Sequence, residues 1–302
     1  MNSQNIHHHS DSPQGQKWPP GLHPYAKAWG YDRVILHIDR PMLPGPIKQL
    51  RRACGGGLEV IPGRLKYNLN WQCTVDMFQP SLLALEILND SCLGSKVGAL
   101  LTYVEIAHDL IFRNKAAALR YESQLMRHLV MRHQRGHVFR HLKINYFNGR
   151  SDAAGSKRGR VGVVYSDMPS KQNTPHAGKP CVHIECRITG SAKLADIGLA
   201  SVGDLQKLDF GLFWKSAVAL YALPSKTEIG QIIGGPGGDD VSGTALRKRG
   251  QKFIQECSIE DQFFMHNAVR REPRLLRKLV KLVKLPMDIL HLPAAATGAS
   301  SD

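Results

Sequence analysis

The sequence predicts an α+β fold: an antiparallel sheet packed with helices, followed by a basic helical C-terminal extension. Three observations predict it. Arg64 to Asp76 alternates apolar residues (Leu65, Tyr67, Leu69, Trp71, Cys73, Val75) with polar ones, so one face is dry and one wet, as in an antiparallel sheet. Strand-like runs recur at 33–39, 102–110, 141–147, 161–165 and 182–188, separated by turn-forming residues. From Ser191 onward the apolar spacing becomes helical.

The elements follow in order. Residues 1–29 have no periodic apolar pattern and predict a disordered tail. In the first strand, Arg33 to Asp39, Val34, Leu36 and Ile38 share a face, and Pro41, Pro44 and Pro46 end it. Ile47 to Ala53 predicts a short basic helix stopped by Gly55, Gly56 and Gly57. No Gly-Lys-Ser/Thr follows these glycines, which excludes a Walker phosphate loop. Pro80 and Ser81 open a helix over Leu82 to Leu88. Asn114 to Gln134 predicts a helix with Leu119, Leu125, Met126 and Leu129 buried and Arg113, Lys115, Arg120, Arg127 and Arg132 outside. Helices are expected at Lys193 to Ile197, Val202 to Leu208 and Phe210 to Leu223. The resulting scheme is a tail to 29, a domain over 30–225, a Gly-rich linker over 226–244, a basic helical extension over 245–292 and a disordered end over 293–302.

With 302 residues the chain can bury a substantial core, and its formal net charge of +15 favours a polyanionic partner. Its six cysteines form no Cys-x-x-Cys pair, so no zinc-finger or dithiol signature is present, and scattered thiols fit a reducing cytoplasm. No apolar run reaches the ~18 residues that span a bilayer, and the polar N-terminus predicts no signal peptide. A cytoplasmic location is expected.

The chemistry gathers on three strands. On the strand Thr102 to Asp109, Tyr103, Glu105, Ala107 and Asp109 share one face. Two carboxylates inside an apolar segment call for a cation unless that face meets solvent. The strand 161–165 ends in Tyr165, and the strand 182–188 puts His183, Glu185 and Arg187 on one face. Glu105, Asp109 and Glu185 form a hard oxygen set suited to Mg²⁺ or Mn²⁺. A tyrosine hydroxyl beside such a metal can attack a phosphodiester. Tyr165 is the candidate nucleophile, with Tyr103 and Tyr146 as alternatives; an edge aromatic is the ordinary role of such a residue. His108, His183 and Arg187 are read as neighbours that orient the ligands.

Tyr-Val-Glu-Ile-Ala-His-Asp (103–109), Tyr-Phe-Asn-Gly-Arg-Ser-Asp (146–152) with Val-Gly-Val-Val-Tyr-Ser-Asp (161–167), and His-Ile-Glu-Cys-Arg-Ile-Thr-Gly (183–190) occur in that order. This order resembles the replication initiation factors of rolling-circle plasmids and filamentous phages, over residues 31 to 210. The resemblance implies a metal-dependent, site-specific single-strand endonuclease that forms a tyrosyl–DNA link through Tyr165 at a replication origin. It implies DNA as partner, in single-stranded or hairpin form, with a host helicase or polymerase and a second copy of the chain as further partners. The chain departs from the family in having Tyr103 where a base is usual, Ser166 and Asp167 after the tyrosine, and a basic insertion before Val161. Arg150, Lys157, Arg158 and Arg160, and further on Arg270, Arg271, Arg274, Arg277, Lys278 and Lys281, are the expected DNA contacts. The alternative is a non-enzymatic DNA-binding regulator that keeps the fold; a cationic helix on a membrane surface or against a protein partner is a further reading of the tail.

Overall fold

The computed structural model describes residues 22–40, 42–62, 72–93, 98–147, 159–172, 175–234 and 242–273. The strands are β1 (Ala26–Ile38), β2 (Cys54–Pro62), β3 (Cys73–Pro80), β4 (Ala99–Ile111), β5 (Leu129–Met131), β6 (Phe139–His141), β7 (Ile144–Tyr146), β8 (Gly159–Tyr165), β9 (Cys181–Thr189), β10 (Val218–Leu220), β11 (Ser258–Ile259) and β12 (Gln262–Phe263). The helices are α1 (Pro44–Ala53), α2 (Leu82–Ile87), α3 (Lys115–His128), α4 (Ser191–Ala195), α5 (Val202–Gln206), α6 (Phe210–Ala217), α7 (Lys226–Gly234), α8 (Gly243–Glu256) and α9 (Met265–Arg271); a π-helical turn, Leu88–Leu93, prolongs α2. Eight strands form one sheet in the order β2-β3-β1-β4-β9-β8-β7-β6, antiparallel throughout. The α+β class and the antiparallel sheet are as expected.

Strand alternation divides the sheet into two unlike faces. One carries Val34, Leu36, Val104, Ile106, Leu110, Val182, Ile184 and Ile188, all buried in a main core with Leu85, Leu125, Leu205 and Trp214 of the helices. Each such aliphatic side chain contributes roughly 1.5–3 kcal/mol through burial. The helices begin where the sequence offers caps: Ser81, Asn114, Asp209 and Ser242 each accept a bond from a first-turn amide, and Ser201 with Asp204 completes a capping box before α5. A second core joins β5 and β10 to α7, α8 and α9 through Val130, Ala219, Tyr221, Ile229, Phe253 and Met265. Among the described residues no helix is long and apolar enough to cross a membrane.

The differences from expectation have physical causes. The helix expected over 114–134 stops at His128, and the one over 210–223 stops at Ala217, because Leu129–Met131 pairs with Val218–Leu220. Such pairing joins distant segments and leaves no local signal. Leu119 is 43% exposed; Ala118, Tyr121, Leu125 and Met126 form the buried stripe. The strand expected over 141–147 belongs to a hairpin, since Leu142 and Lys143 take φ of 45° and 69° and turn the chain between β6 and β7. The glycines 55–57 open β2, with a bulge and a φ of 108° at Gly57. Helix α7 occupies the start of the expected linker, and β1 begins inside the expected tail. Most of the strand expected from Arg64, and the Gly-rich run 235–241, lie outside the described residues.

Candidate metal and nucleophile site

The other face of the central strands is polar yet dry. In the β4–β9 ladder Glu105 stands opposite Arg187, Ala107 opposite Glu185, and Asp109 opposite His183. Across β9, Tyr165 of β8 stands opposite His183. Asp109, His183, Glu185 and Tyr165 are each 0–2% exposed. The sequence brings them together because each sits at an odd-numbered position of an alternating strand, and the antiparallel register aligns those positions.

Asp32 joins them through a β-bulge. The β1–β4 register slips between Tyr31/Ile106 and Arg33/Glu105. Tyr31 therefore enters the main core, where its hydroxyl donates to Leu205 O at 2.7 Å, while Asp32 is 7% exposed beside the polar cluster. Bulges re-aim side chains in this way. The β8–β9 connection closes over the cluster: Ser170 Oγ donates to Asp109 at 2.5 Å, and Gln172 Nε2 donates to Asp32. Gly30 makes room for that cover, since a Cβ there would lie 2.4 Å from Gln172 Oε1.

Asp32, Glu105, Asp109 and Glu185 share this face with Arg187 and His183, and Arg33, opposite Glu105 in the β1–β4 ladder, lies there too, paired with Asp76 at 2.6 Å. Arg187 donates from Nε to Glu185 at 3.0 Å, and its Nε lies 3.5 Å from Glu105. Tyr103 donates to Glu105, and Tyr165 donates to Glu185 at 2.5 Å. Burial works against ionisation of Glu185, but Arg187, His183 and the Tyr165 hydroxyl outweigh it and hold its carboxyl below the usual range. At Asp32 burial, then Glu185 and Asp109, outweigh His183 and push the carboxyl up to about 8. Burial, then Glu185, raise Glu105. His183 is buried, yet Asp109, whose Oδ1 lies 2.6 Å from Nδ1, raises its pKa well above the ordinary value. The Tyr165 hydroxyl is pushed far up, first by burial and then by Glu185.

Among the described residues, two groups could hold a divalent cation: Asp32, His183 and Glu185, and Asp109, Cys181 and His183, with the donor atoms of each group within 4.8 Å of one another. Neither ring nitrogen of His183 makes an aligned hydrogen bond among the described residues, despite full burial. The carboxylates of each group are hard donors, and His183 in both, with Cys181 in the second, makes them softer. His183, expected to orient the ligands, is therefore a candidate ligand itself. Asp109 and Glu185 fall within the groups, whereas Glu105 lies beyond them, held by Tyr103 and Arg187.

No protein-family model matches the chain, and no curated protein does. One solved structure that matches is a rolling circle replication initiator protein from Geobacillus stearothermophilus. The match covers 78% of this chain and 97% of that one, at 9% identity and a TM-score of 0.38. A likeness that distant supports no residue role.

The other expected residues are dispersed. His108 lies on the helix-covered face, near Trp29 and Trp214 with ring centroids at 6.0 and 6.2 Å, so it does not orient the carboxylates. Tyr146 packs with Val161, Val163 and Tyr165 in a small apolar cluster. Arg160 turns to the helix-covered side, its Nε 3.1 Å from Cys186 Sγ and its guanidinium over Phe213 at 5.3 Å. Arg270 donates to the carbonyls of Met131 and Arg132, and Arg271 pairs with Glu256 at 2.9 Å; both are engaged by the protein itself. Arg150, Lys157, Arg158, Arg274, Arg277, Lys278 and Lys281 lie outside the described residues. Sequence reading missed Asp32, Ser170, Gln172 and Cys181. Of these, Cys181 could have been found, since it continues the odd-numbered face of β9.

Proposed function

We propose that the chain is a metal-dependent DNA-nicking enzyme of the rolling-circle initiation type, with Tyr165 as nucleophile. One observation carries the reading: the Tyr165 hydroxyl is hydrogen-bonded to Glu185, a member of a group of side chains able to hold a divalent cation. The order of the three sequence motifs supplies the substrate class. Asp32, His183 and Glu185 would hold the ion, which would polarise the phosphoryl group and lower the barrier to attack. Tyr165 Oη forms a bond to phosphorus as the bond from phosphorus to the 3′-oxygen breaks, and the phenolic proton passes through Glu185 to the departing 3′-oxygen, which becomes a free hydroxyl. The DNA 5′ end stays linked to the tyrosine. Entry of a strand requires the β8–β9 connection, held down by Ser170 and Gln172, to swing off the cluster.

The burial of Tyr165 and Glu185 favours a second reading, in which the polar cluster is a structural network inside a DNA-binding regulator. Incubation with supercoiled DNA carrying candidate origins, with and without Mg²⁺ or Mn²⁺, separates the two. A metal-dependent nick with protein attached to the 5′ end supports the enzyme. Binding without a nick or adduct, at every origin and with either metal, supports the regulator.

A further inference from the structure

Helix α8 is divided lengthwise into two unlike halves. Leu246, Gly250 and Phe253 form its buried inner face, and Phe253 belongs to the second core. The inner face is pressed against α7 at backbone distance: a Cβ on Gly250 would lie 1.7 Å from Lys226 O, and one on Gly230 would lie 2.0 Å from Leu246 O. The helix is thus clamped on a rigid strut.

Its outer face carries Thr244, Arg247, Lys248, Gln251, Lys252 and Gln255, all exposed. From Gly243 to Gln255 there is no acidic residue. The first acid, Glu256, is occupied by Arg271 at 2.9 Å. Among the described residues, Arg247, Lys248 and Lys252 make no ion pair. A solvated helix face ordinarily mixes signs, because opposite charges three or four residues apart stabilise it and like charges do the reverse. This face has cations, amides and the Thr244 hydroxyl, and no acid. The cations suit phosphate oxygens, and amides and guanidinium groups suit the base edges of a major groove. A helix of this length runs about 20 Å, and a major groove about 12 Å wide admits it. The outer face lacks the large apolar side chains that insert into lipid, which weighs against a membrane surface.

We propose that α8 is a duplex-DNA-reading helix, docking its outer face in the major groove, with Arg247, Lys248 and Lys252 on phosphates and Gln251 and Gln255 toward base edges. The assignment extends the DNA reading above but does not depend on the nicking chemistry. It also places the contact upstream of Arg270 and Arg271, which the protein already engages.

The test uses the full chain. Duplexes of 30 base pairs bound by the wild type are selected from a randomised pool, and the selected and scrambled duplexes are then titrated at several salt concentrations. The triple variant Arg247→Gln/Lys248→Gln/Lys252→Gln is expected to bind both duplexes more weakly. It should also lower the slope of log affinity against log salt by about 2.7, roughly 0.9 for each phosphate no longer neutralised. The double variant Gln251→Ala/Gln255→Ala is expected to keep the slope and lose at least about tenfold in discrimination between the two duplexes. Unchanged slope and affinity in the triple variant, with unchanged helicity by circular dichroism, would overturn the proposal. Equal binding of wild type and triple variant to duplex, together with loss of binding to phosphatidylserine vesicles in the variant, would overturn it in favour of a membrane surface. Nicking of a short single-stranded substrate is expected to survive in both variants. If the wild type never nicks while the α8 effects hold, the enzymatic reading fails and this one stands.

Discussion

The Tyr165 hydroxyl donates a 2.5 Å hydrogen bond to Glu185, although the residue opposite Tyr165 in the β8–β9 ladder is His183. The tyrosine ring lies over the His183 ring, with centroids 4.7 Å apart and planes 28° apart, and this lean carries the hydroxyl along the strand to the carboxylate. The candidate nucleophile thus touches two candidate ligands at once.

Tyr165→Phe is therefore expected to act on both chemistry and stability. The DNA adduct should vanish while duplex binding persists. Glu185 would keep its Arg187 bonds but lose one donor in a dry site, at a cost of about 1–3 kcal/mol. Denaturant melts and adduct gels measure the two effects separately. An adduct that persists in Tyr165→Phe and disappears in Tyr146→Phe would transfer the role to the neighbouring strand.

Metal binding should discriminate between the expected and the observed ligand sets. Mn²⁺ is expected to raise the melting temperature of the wild type, since a ligand that binds only the folded state stabilises it. Asp32→Asn and Glu185→Gln should abolish that rise. Glu105→Gln should retain it, because Glu105 is held by Tyr103 and Arg187 outside both groups. Loss of the rise in Glu105→Gln alone would restore the set of Glu105, Asp109 and Glu185.

The site was legible in the sequence wherever its residues obey strand alternation, and hidden wherever geometry breaks it. Glu105, Asp109, Tyr165, Glu185 and Arg187 sit at alternating positions of runs that read as strands, and the ladder aligns them. Asp32 did not read as part of the site because a bulge, not alternation, aims it inward. Ser170 and Gln172 come from a loop, whose path over the sheet has no period. His108 shows the same rule from the other side: three residues from Glu105, an odd separation, it had to fall on the opposite face. The fold was legible for the same reason; β5 and β10 were missed because three-residue strands exist only through their distant partners, and β6 because the turn at Leu142 and Lys143 lies inside a run that reads as one strand.

Acid should destabilise the protein through His266. Its Nε2 donates to Gly136 O at 2.9 Å, which leaves Nδ1 as a bare acceptor, buried without a hydrogen-bond partner among the described residues. Protonation would put a charge there, so burial lowers its pKa from 6.5 to about 4. The folded state prefers the neutral ring. Stability is then full above pH 6.5 and falls as pH drops toward 4, where the unfolded chain takes up the proton first. The loss amounts to about 3 kcal/mol at about 1.36 kcal/mol per pH unit. Burial lowers His37, His128 and His133 in the same direction, so His266 is one of several sources of the acid limb. His266→Gln keeps a donor for Gly136 and removes the titration. Its denaturant midpoint is expected to vary less between pH 7 and pH 4 than that of the wild type, and an identical pH profile would remove His266 as a source.

The packing of α7 on α8 gives a test in which helix propensity and packing have opposite signs. On propensity alone, alanine in place of a helical glycine stabilises by about 1 kcal/mol. At Gly250 the added Cβ would lie 1.7 Å from the Lys226 carbonyl oxygen, a backbone atom that cannot rotate away. The helices would have to separate, opening the second core around Ile229 and Phe253. Overpacking of this kind costs roughly 1–3 kcal/mol where side chains can adjust, and here they cannot. Gly250→Ala is thus expected to destabilise by at least about 3 kcal/mol in urea melts. Gly203 is the control: its Cβ would meet only Ser201 Oγ at 3.6 Å, an ordinary contact, so Gly203→Ala should leave stability unchanged or raise it. Stabilisation by both substitutions would mean that α7 and α8 stand further apart in solution, and that α8 is not the clamped helix its packing describes.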